Sequence, residues 1–311
     1  MSRAPHAASV TIAICTYNRS QLLFETLESL CALTFPVEEW EVLVIDNNSS
    51  DNTAEVTRSF TDKLARLRYI HEPQQGLAYA RNTAITQSDS PIIVFADDDV
   101  LVEPDWLTQL VAPYEISDAI ACVAGSVYPV FPEGLPQWME RDWARPLVLT
   151  DEVGPMPDSA DPMGANLSFR RSVFETIGDF RVDLGRKGNS LLCGEDAEIV
   201  RRLRKAGFEA WFVPAAKLFH QFPRSRMNLK YAMRHGYDSA RSKVNDVRAT
   251  EGLSFSDRCF FMFSRLLANL LKLPLSLLAG LLVLPVSPAE SRRFIVRSCR
   301  AAGYLKQILT F

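Results

Sequence analysis
Three consecutive aspartates, Asp97-Asp98-Asp99, follow directly on the apolar run Ile92-Ile93-Val94-Phe95-Ala96. Adjacent carboxylates repel one another, and a close set ionises together only beside a counter-charge. A hard divalent cation supplies that charge through oxygen ligands. Mg²⁺ in particular takes one or two protein carboxylates and completes its shell with substrate phosphates. The chemistry open to the triplet is therefore the holding of a metal–diphosphate. The same residues also suit an acidic turn capping a following helix. Other residues have chemical potential: Thr16-Tyr17-Asn18 and Asp46 after apolar runs, Arg81, the pair Glu195-Asp196, and His220. Acidic residues in a first helical turn are favoured by the helix dipole, so Glu195 and Asp196 have a purely structural reading as well. A lone histidine such as His220 reads first as a satisfied surface residue.

These residues need a frame. An apolar run of strand length such as this one, buried on both faces, belongs to a parallel sheet. Val10–Cys15, Trp40–Ile45 and Leu67–Ile70 read as strands too, and helical spacing recurs at Leu22, Leu23, Leu27 and Leu30 and over 77–86. Strands alternating with helices over about the first 110 residues predict a parallel sheet with right-handed crossovers. Polar groups at successive strand ends then gather at one sheet edge, where open α/β sheets bind nucleotides. Val100–Leu107 reads as a loop entering a helix, with Pro104 in its first turn. Ile120–Gly125 reads as a further strand and Gly164–Arg171 as one returning to the sheet. A helix opens at Gly194 with Ile199, Val200 and Leu203 as its stripe, Gly207 ends it, and Trp211–Pro214 reads as a short edge strand. Between these, 129–163 is rich in Pro and Trp, suiting a binding loop whose aromatics stack on sugars or seal a minor core. No G-x-G-x-x-G follows the first strand and no P-loop occurs, which disfavours dinucleotide and P-loop chemistry.

The chain has 311 residues with 47% hydrophobic content, enough for one large domain and an appendage. Its net charge of −3 conceals an asymmetry: residues 1–198 hold 14 Lys and Arg against 31 Asp and Glu, whereas 199–311 hold 20 against 6. The C-terminal part is thus expected to face something anionic, membrane lipid or nucleic acid. Six cysteines without a CxxC pair read as core residues of a reduced compartment. Residues 1–9 carry no apolar signal-peptide core, which points to a cytosolic catalytic part.

Six segments, in order, resemble the inverting family 2 glycosyltransferases of GT-A fold, of the kind that builds bacterial polysaccharides and cell-surface glycans. They are VTIAICTYNR (10–19), VLVIDNNSSD (42–51), GLAYARN (76–82), FADDDVLVEPDWL (95–107), GANLSFRR (164–171) and GEDAEIVRRLRKAGF (194–208). The resemblance implies transfer of a sugar from a nucleotide-diphosphate donor to a saccharide or lipid-linked acceptor, with Mn²⁺ or Mg²⁺ as cofactor. It places Thr16, Tyr17 and Asn18 around the base and ribose, Asp46 on the base and Arg81 near the diphosphate. It makes Asp99 a direct metal ligand with Asp97 and His220 as further ligands. The DDD run leaves open whether Asp97 or Asp98 contacts the ribose. Asp196, paired with Glu195, is implied as general base. A nucleotidyltransferase of similar sheet would want a basic Gly-rich loop after the first strand, and Thr16-Tyr17-Asn18 is not one. A catalytically dead sugar-nucleotide-binding membrane protein is the non-enzyme alternative.

The expected organisation is a catalytic domain over 1–225 and a helical extension over 226–311. Leu266–Val286 holds one charge, Lys272, but Pro274 and Pro285 interrupt it. A span needs about 20 apolar residues, so a crossing helix, an interfacial or re-entrant pair, and a buried core helix all remain open. The basic residues Arg292, Arg293, Arg297, Arg300 and Lys306 that follow suit anionic lipid on the cytoplasmic face. With a Leu-rich partner beside them, membrane is the favoured reading and nucleic acid is not expected to bind.

Overall fold
The computed structural model describes residues 8–64, 66–188, 190–250 and 252–310. Its described residues divide into two units. The first comprises Met1–Val130, Pro146–Val182 and Ile199–Gln221; the second comprises Phe131–Arg145, Asp183–Glu198 and Phe222–Phe311.

The first unit is built on a sheet of nine strands: β1 (Val10–Thr16), β2 (Trp40–Asp46), β3 (Leu67–His71), β4 (Ile92–Asp97), β5 (Val100–Val102), β6 (Ile120–Val130), β7 (Gly154–Pro155), β8 (Asn166–Arg170) and β9 (Glu209–Gln221). Their order is β3-β2-β1-β4-β8-β6-β9-β5, with β7 on β9. The first four strands pair in parallel, as the alternating pattern predicts, while β8 lies antiparallel between β4 and β6. Period-two alternation sorts the core. Val10, Ile12, Ile14, Val42, Val44 and Val94 face one layer, with Leu23 and Leu27 of α1 (Ser20–Leu30) and Trp106 of α4 (Trp106–Val111). Ala13, Leu43, Ile45 and Phe95 face the other, with α3 (Leu77–Gln87), α6 (Val173–Ile177) and the Ile199, Val200 and Leu203 stripe of α7 (Glu195–Lys205). The short α2 (Thr53–Arg58) follows β2.

Three local expectations need correction. Val100–Val102 is a strand, not a loop, because β9 offers it a ladder. Trp211–Pro214 is not a short edge strand but part of a 13-residue one, paired with β5, β6 and β7. The apolar pattern breaks at Pro214 because the register shifts between Gly125 and Ser126, where β9 bulges. Asn166 locks that bulge, donating to the carbonyls of Ser126 and Ala216. A Cβ on Gly125 would lie 2.2 Å from the Ala216 carbonyl oxygen, so only glycine admits this approach. The cysteines are not uniformly core residues: Cys122 is buried, but Cys31, Cys193 and Cys259 are exposed.

The second unit is helical: α5 (Gln137–Trp143), the first turn of α7, α8 (Leu229–Ala249), α9 (Phe255–Val283) and α10 (Pro288–Leu309). Asn228, Ser254 and Ser287 cap the last three with side-chain acceptors. Trp138 and Met139 seal a minor core with Met227 and Ala232, so this tryptophan of the Pro/Trp-rich stretch is structural. In α9, Asn269 and Gly280 are buried, whereas leucines 270, 271, 275, 281 and 282 are exposed. Gly280 sits against Ser291, Phe294 and Ile295 of α10. α9 is long and apolar enough to cross a membrane by length and composition.

Candidate active site
β4 leads the triplet out of the sheet, and an extended chain sends successive side chains apart. Asp98 turns toward β1. Its Oδ2 accepts from Thr16 Oγ1 at 2.8 Å and its Oδ1 from Arg19 Nη1 at 2.8 Å. Arg19 also donates to Asp99 at 3.1 Å. Asp97 faces the other way, its Oδ1 4.0 Å from Arg81 Nη2. His220 Nε2 lies 3.1 Å from Asp99 Oδ1 and 3.8 Å from Asp97 Oδ2.

His220 is 6% exposed, which corrects its reading as a surface residue. The β9 bulge explains this, for it lets the second half of β9 pair with β5 and sets His220 opposite Val100, next to Asp99. The Gln221 amide donates to the Asp99 carbonyl and ties the two segments together.

The electrostatics follow from burial and partners. Burial disfavours the charged His220 ring, but Asp99 and Asp97 outweigh it and raise its pKa to about 9. Burial pushes the Asp98 carboxyl up and Asp99 adds to that, more than Arg19 and Thr16 offset. Burial acts on Asp97 too, yet His220 and Arg81 hold it below its ordinary value. Arg19 loses hydration on burial and regains more from Asp98 and Asp99, so it stays charged.

Arg81 is 3% exposed, its guanidinium 5.8 Å from the Phe95 ring centre and 5.3 Å from that of Phe180. A Cβ on Gly164 would stand 2.3 Å from its Nη2, so that glycine defines where the guanidinium rests. Asp46 pairs with Thr16 across β1 and β2. Its Oδ1 accepts the Ser49 amide at 2.9 Å and its Oδ2 the Tyr69 hydroxyl at 2.6 Å. Burial, with Asp46 second, lifts the Tyr69 pKa to about 12, which keeps the hydroxyl a donor. Asn18 adopts a left-handed φ of 52° and accepts from the Ser50 amide, joining the loops after β1 and β2. Tyr17 beside it is half-buried.

Thr16, Arg81, Asp97, Asp98, Asp99 and His220 are thus brought together, with Asp46 on the adjacent strand. Glu195 and Asp196 belong to the second unit. There Glu195 is buried, with a Cβ on Gly185 falling 3.0 Å from its carboxylate, while Asp196 is half-buried and accepts the Ala197 amide. Arg19, Tyr69 and Gly164 are not singled out by the sequence. Arg19 has a signal there: three carboxylates require a counter-charge, and it stands three residues after Thr16.

Ligand atoms of Asp97, Asp99 and His220 all lie within 4.8 Å of one another. Carboxylate oxygens favour a hard divalent ion, and an imidazole nitrogen beside them moves the set toward a first-row metal such as Mn²⁺. The neutral ring is a ligand; the protonated ring is itself a counter-charge. The residues therefore fit the expected cation.

Comparison with known proteins places this geometry. The chain matches the family model Glycosyl transferase family 2 over residues 11–178. It is 27% identical over 218 residues to the glucosyl-dolichyl phosphate glucuronosyltransferase of Haloferax volcanii, covering 68% of this chain and 69% of that protein. It is 27% identical over 244 residues to the succinoglycan biosynthesis protein ExoM of Rhizobium meliloti, covering 75% and 73%. The mannosyltransferase PcManGT from Pyrobaculum calidifontis, solved with GDP-Man and Mn²⁺, shares the fold at a TM-score of 0.63 and 19% identity over 98% of this chain and 88% of that one. The sheet is that of a GT-A enzyme acting on a nucleotide-sugar donor, and the chain belongs to glycosyl transferase family 2.

Proposed function
We propose that this glycosyltransferase works with inversion, on a lipid-linked saccharide at the cytoplasmic face of a membrane, in the synthesis of a cell-surface polysaccharide. The observation that carries the reading is the convergence of Asp97, Asp99 and His220 at the end of β4. Those three would hold Mn²⁺ or Mg²⁺, and the ion would supply positive charge to the donor diphosphate. Arg81 meets charge developing on the departing diphosphate with a fixed guanidinium. Asp98, bound by Thr16 and Arg19, orients the strand end and is the neighbour that reaches the ribose. Thr16, Tyr17 and Asn18 border the nucleoside, and Asp46 accepts from the base. Asp196 takes the proton of the acceptor hydroxyl as its oxygen bonds to the anomeric carbon and the bond to the diphosphate breaks. Buried Glu195 positions this turn. We assign catalysis to 1–225 and membrane docking to 226–311.

The acceptor class draws on two relatives, one named for a dolichyl-phosphate-linked sugar and one for succinoglycan biosynthesis. The membrane reading draws on α9, which buries Asn269 and Gly280 and exposes leucines. Such inverted burial suits lipid rather than water. The preference for lying flat over crossing draws on α10. It packs along α9 and carries Arg292, Arg293, Arg297 and Arg300. A crossing α9 would draw these into hydrocarbon at about 2.5–3.5 kcal/mol each near the centre. On this reading the helices lie in the interface, with the exposed Arg292 and Arg297 among anionic headgroups.

The test is a screen of nucleotide sugars for Mn²⁺-dependent hydrolysis and for protection against thermal unfolding. A hit with one base, lost in Asp99→Asn, is expected; no response to any nucleotide sugar would end the reading. Recovery of the full chain in the soluble fraction without detergent would end its membrane part.

A further inference from the structure
The segment that leads into Glu195 and Asp196 is tied to α8 by two hydrogen bonds. The Leu191 amide donates to Asp238 Oδ2 at 3.0 Å, and the Cys193 amide donates to Ser242 Oγ at 2.9 Å. Both acceptors are buried, and both bonds lie within the second unit. Residues 190–194 belong to no helix or strand, so these amides have no ladder to satisfy them. The spacing of the acceptors fits the task. Residues four apart on a helix share a face and rise about 6 Å. Residues two apart in a nearly extended chain stand about 7 Å apart. One face of α8 can therefore hold two alternate amides of the incoming segment.

Each acceptor is itself fixed. Asp238 Oδ1 accepts from Arg241 Nη1 at 3.0 Å, and Arg241 Nε donates to Gln307 Oε1 of α10 at 3.0 Å. Gln307 donates onward to Asn245 Oδ1 at 2.7 Å. Ser242 gives its own proton to the Asp238 carbonyl at 2.9 Å, so its oxygen meets the Cys193 amide as an acceptor. Beyond Cys193 the chain has little freedom. Gly194 turns it at a φ of 105°, a left-handed value that favours glycine. The Gly194 carbonyl then accepts the Glu198 amide at 3.0 Å as α7 begins. Only Gly194 and Glu195 separate the anchored Cys193 from Asp196.

The stability of α8 does not account for this pair. Aspartate and serine are poor residues for a helix interior, because their side chains compete for the backbone. A buried carboxylate also gives up its hydration. What the pair secures is the placement of a segment without regular structure. A general base must stand within hydrogen-bond reach of the proton it takes, and a shift of about 1 Å can cost about 10²-fold in rate. We propose that Asp238 and Ser242 are positioning residues for sugar transfer. Through the Leu191 and Cys193 amides they set where the Asp196 carboxylate meets the acceptor hydroxyl. This rests on the reading of Asp196 as general base.

The test uses the full chain in detergent with Mn²⁺ and follows hydrolysis of UDP-glucose and GDP-mannose, water standing in for the acceptor hydroxyl. Ser242→Ala and Asp238→Ala should each lower kcat by about 10- to 10²-fold, while KM and the affinity for UDP and GDP stay within about twofold. Ser242→Thr, which keeps the oxygen, should recover most of the loss. Unchanged kcat in the alanine variants would overturn the assignment. So would a loss in Ser242→Thr equal to that in Ser242→Ala, or a fall in nucleotide affinity matching the fall in kcat, the mark of a merely structural role. If Asp238→Ala fails to fold, the two Ser242 variants decide alone. Asp196→Asn separates the two readings. Its inactivity beside fully active alanine variants keeps the general base and sinks the positioning pair; its full activity sinks both. If neither sugar nucleotide is hydrolysed, amide hydrogen exchange over 190–198 decides. Faster exchange in Ser242→Ala but not in Ser242→Thr is expected, and unchanged exchange overturns the anchor.

Discussion
The sheet unit and the helical unit handle concentrated charge in opposite ways. At the end of β4, three carboxylates are buried or half-buried, and each has cations of the chain beside it: Arg19, Arg81 and His220. In the helical unit Asp238 lies 3.0 Å from Arg241 and 3.9 Å from Arg234, and the His235 ring stacks on Tyr231 beside Trp143. The first arrangement surrounds a set of hard oxygen ligands with cations of the chain itself. The second pairs its charges three and four residues apart along α8 and keeps the His235 ring neutral.

The sharpest break is chemical. Asp196→Asn should lower transfer by about 10²–10⁴-fold, the range for losing a general base, while nucleotide–Mn²⁺ binding persists. Full activity in that variant, measured with the donor found in the screen, would remove Asp196 from the mechanism. Chelation by EDTA, or Asp99→Asn, should weaken nucleotide binding by about 10²-fold. Nucleotide titration with and without Mn²⁺ checks this, and unchanged affinity would remove the cation from donor binding.

Arg19→Gln should cost about 2–3 kcal/mol of stability, below the usual penalty for breaking a buried pair because its side chain is 29% exposed. Urea unfolding measures it, and an unchanged midpoint would mean that Asp98 needs no counter-charge. Gly164→Ala should reduce turnover by roughly tenfold with little change in melting temperature, since the far end of Arg81 can yield but then leaves its position.

The smallest expected effect is pH-dependent and confined to the helical unit. The folded His235 pKa of about 4 lies below the ordinary 6.5, so the unfolded chain binds the proton first. This contribution to stability is complete above pH 6.5 and declines as pH falls from there through 4. Thermal melts at pH 7 and 5 should differ by a few degrees, roughly, and His235→Gln should narrow the difference. An unchanged difference would mean that His235 is protonated in the fold.

Much of the sheet unit is readable from sequence because its signals are local. Apolar runs of strand length, period-two alternation and polar residues at strand ends place β1, β2 and β4 and bring Thr16, Asp46 and the triplet to one edge. β5 and β9 escape a local reading for the converse reason. Three residues become a strand only when a partner arrives, and a proline hides continuity that a bulge restores. His220 reads as exposed because nothing local announces that its strand will turn beside Asp99. Trp138 and Trp143 cannot be told apart by type, yet Trp138 is buried in the minor core while Trp143 packs at its edge and joins an aromatic cluster.

The order of residues alone determined the alternating architecture, the acidic strand end and the apolar C-terminal stretch, since each rests on the chemistry of neighbours along the chain. Tertiary structure decided which aspartate faces Arg19 and which faces His220, that Arg81 is set by Gly164, and that His235 stacks on Tyr231 beside Trp143. Those outcomes depend on packing distances between residues far apart in sequence, and no local preference encodes such distances.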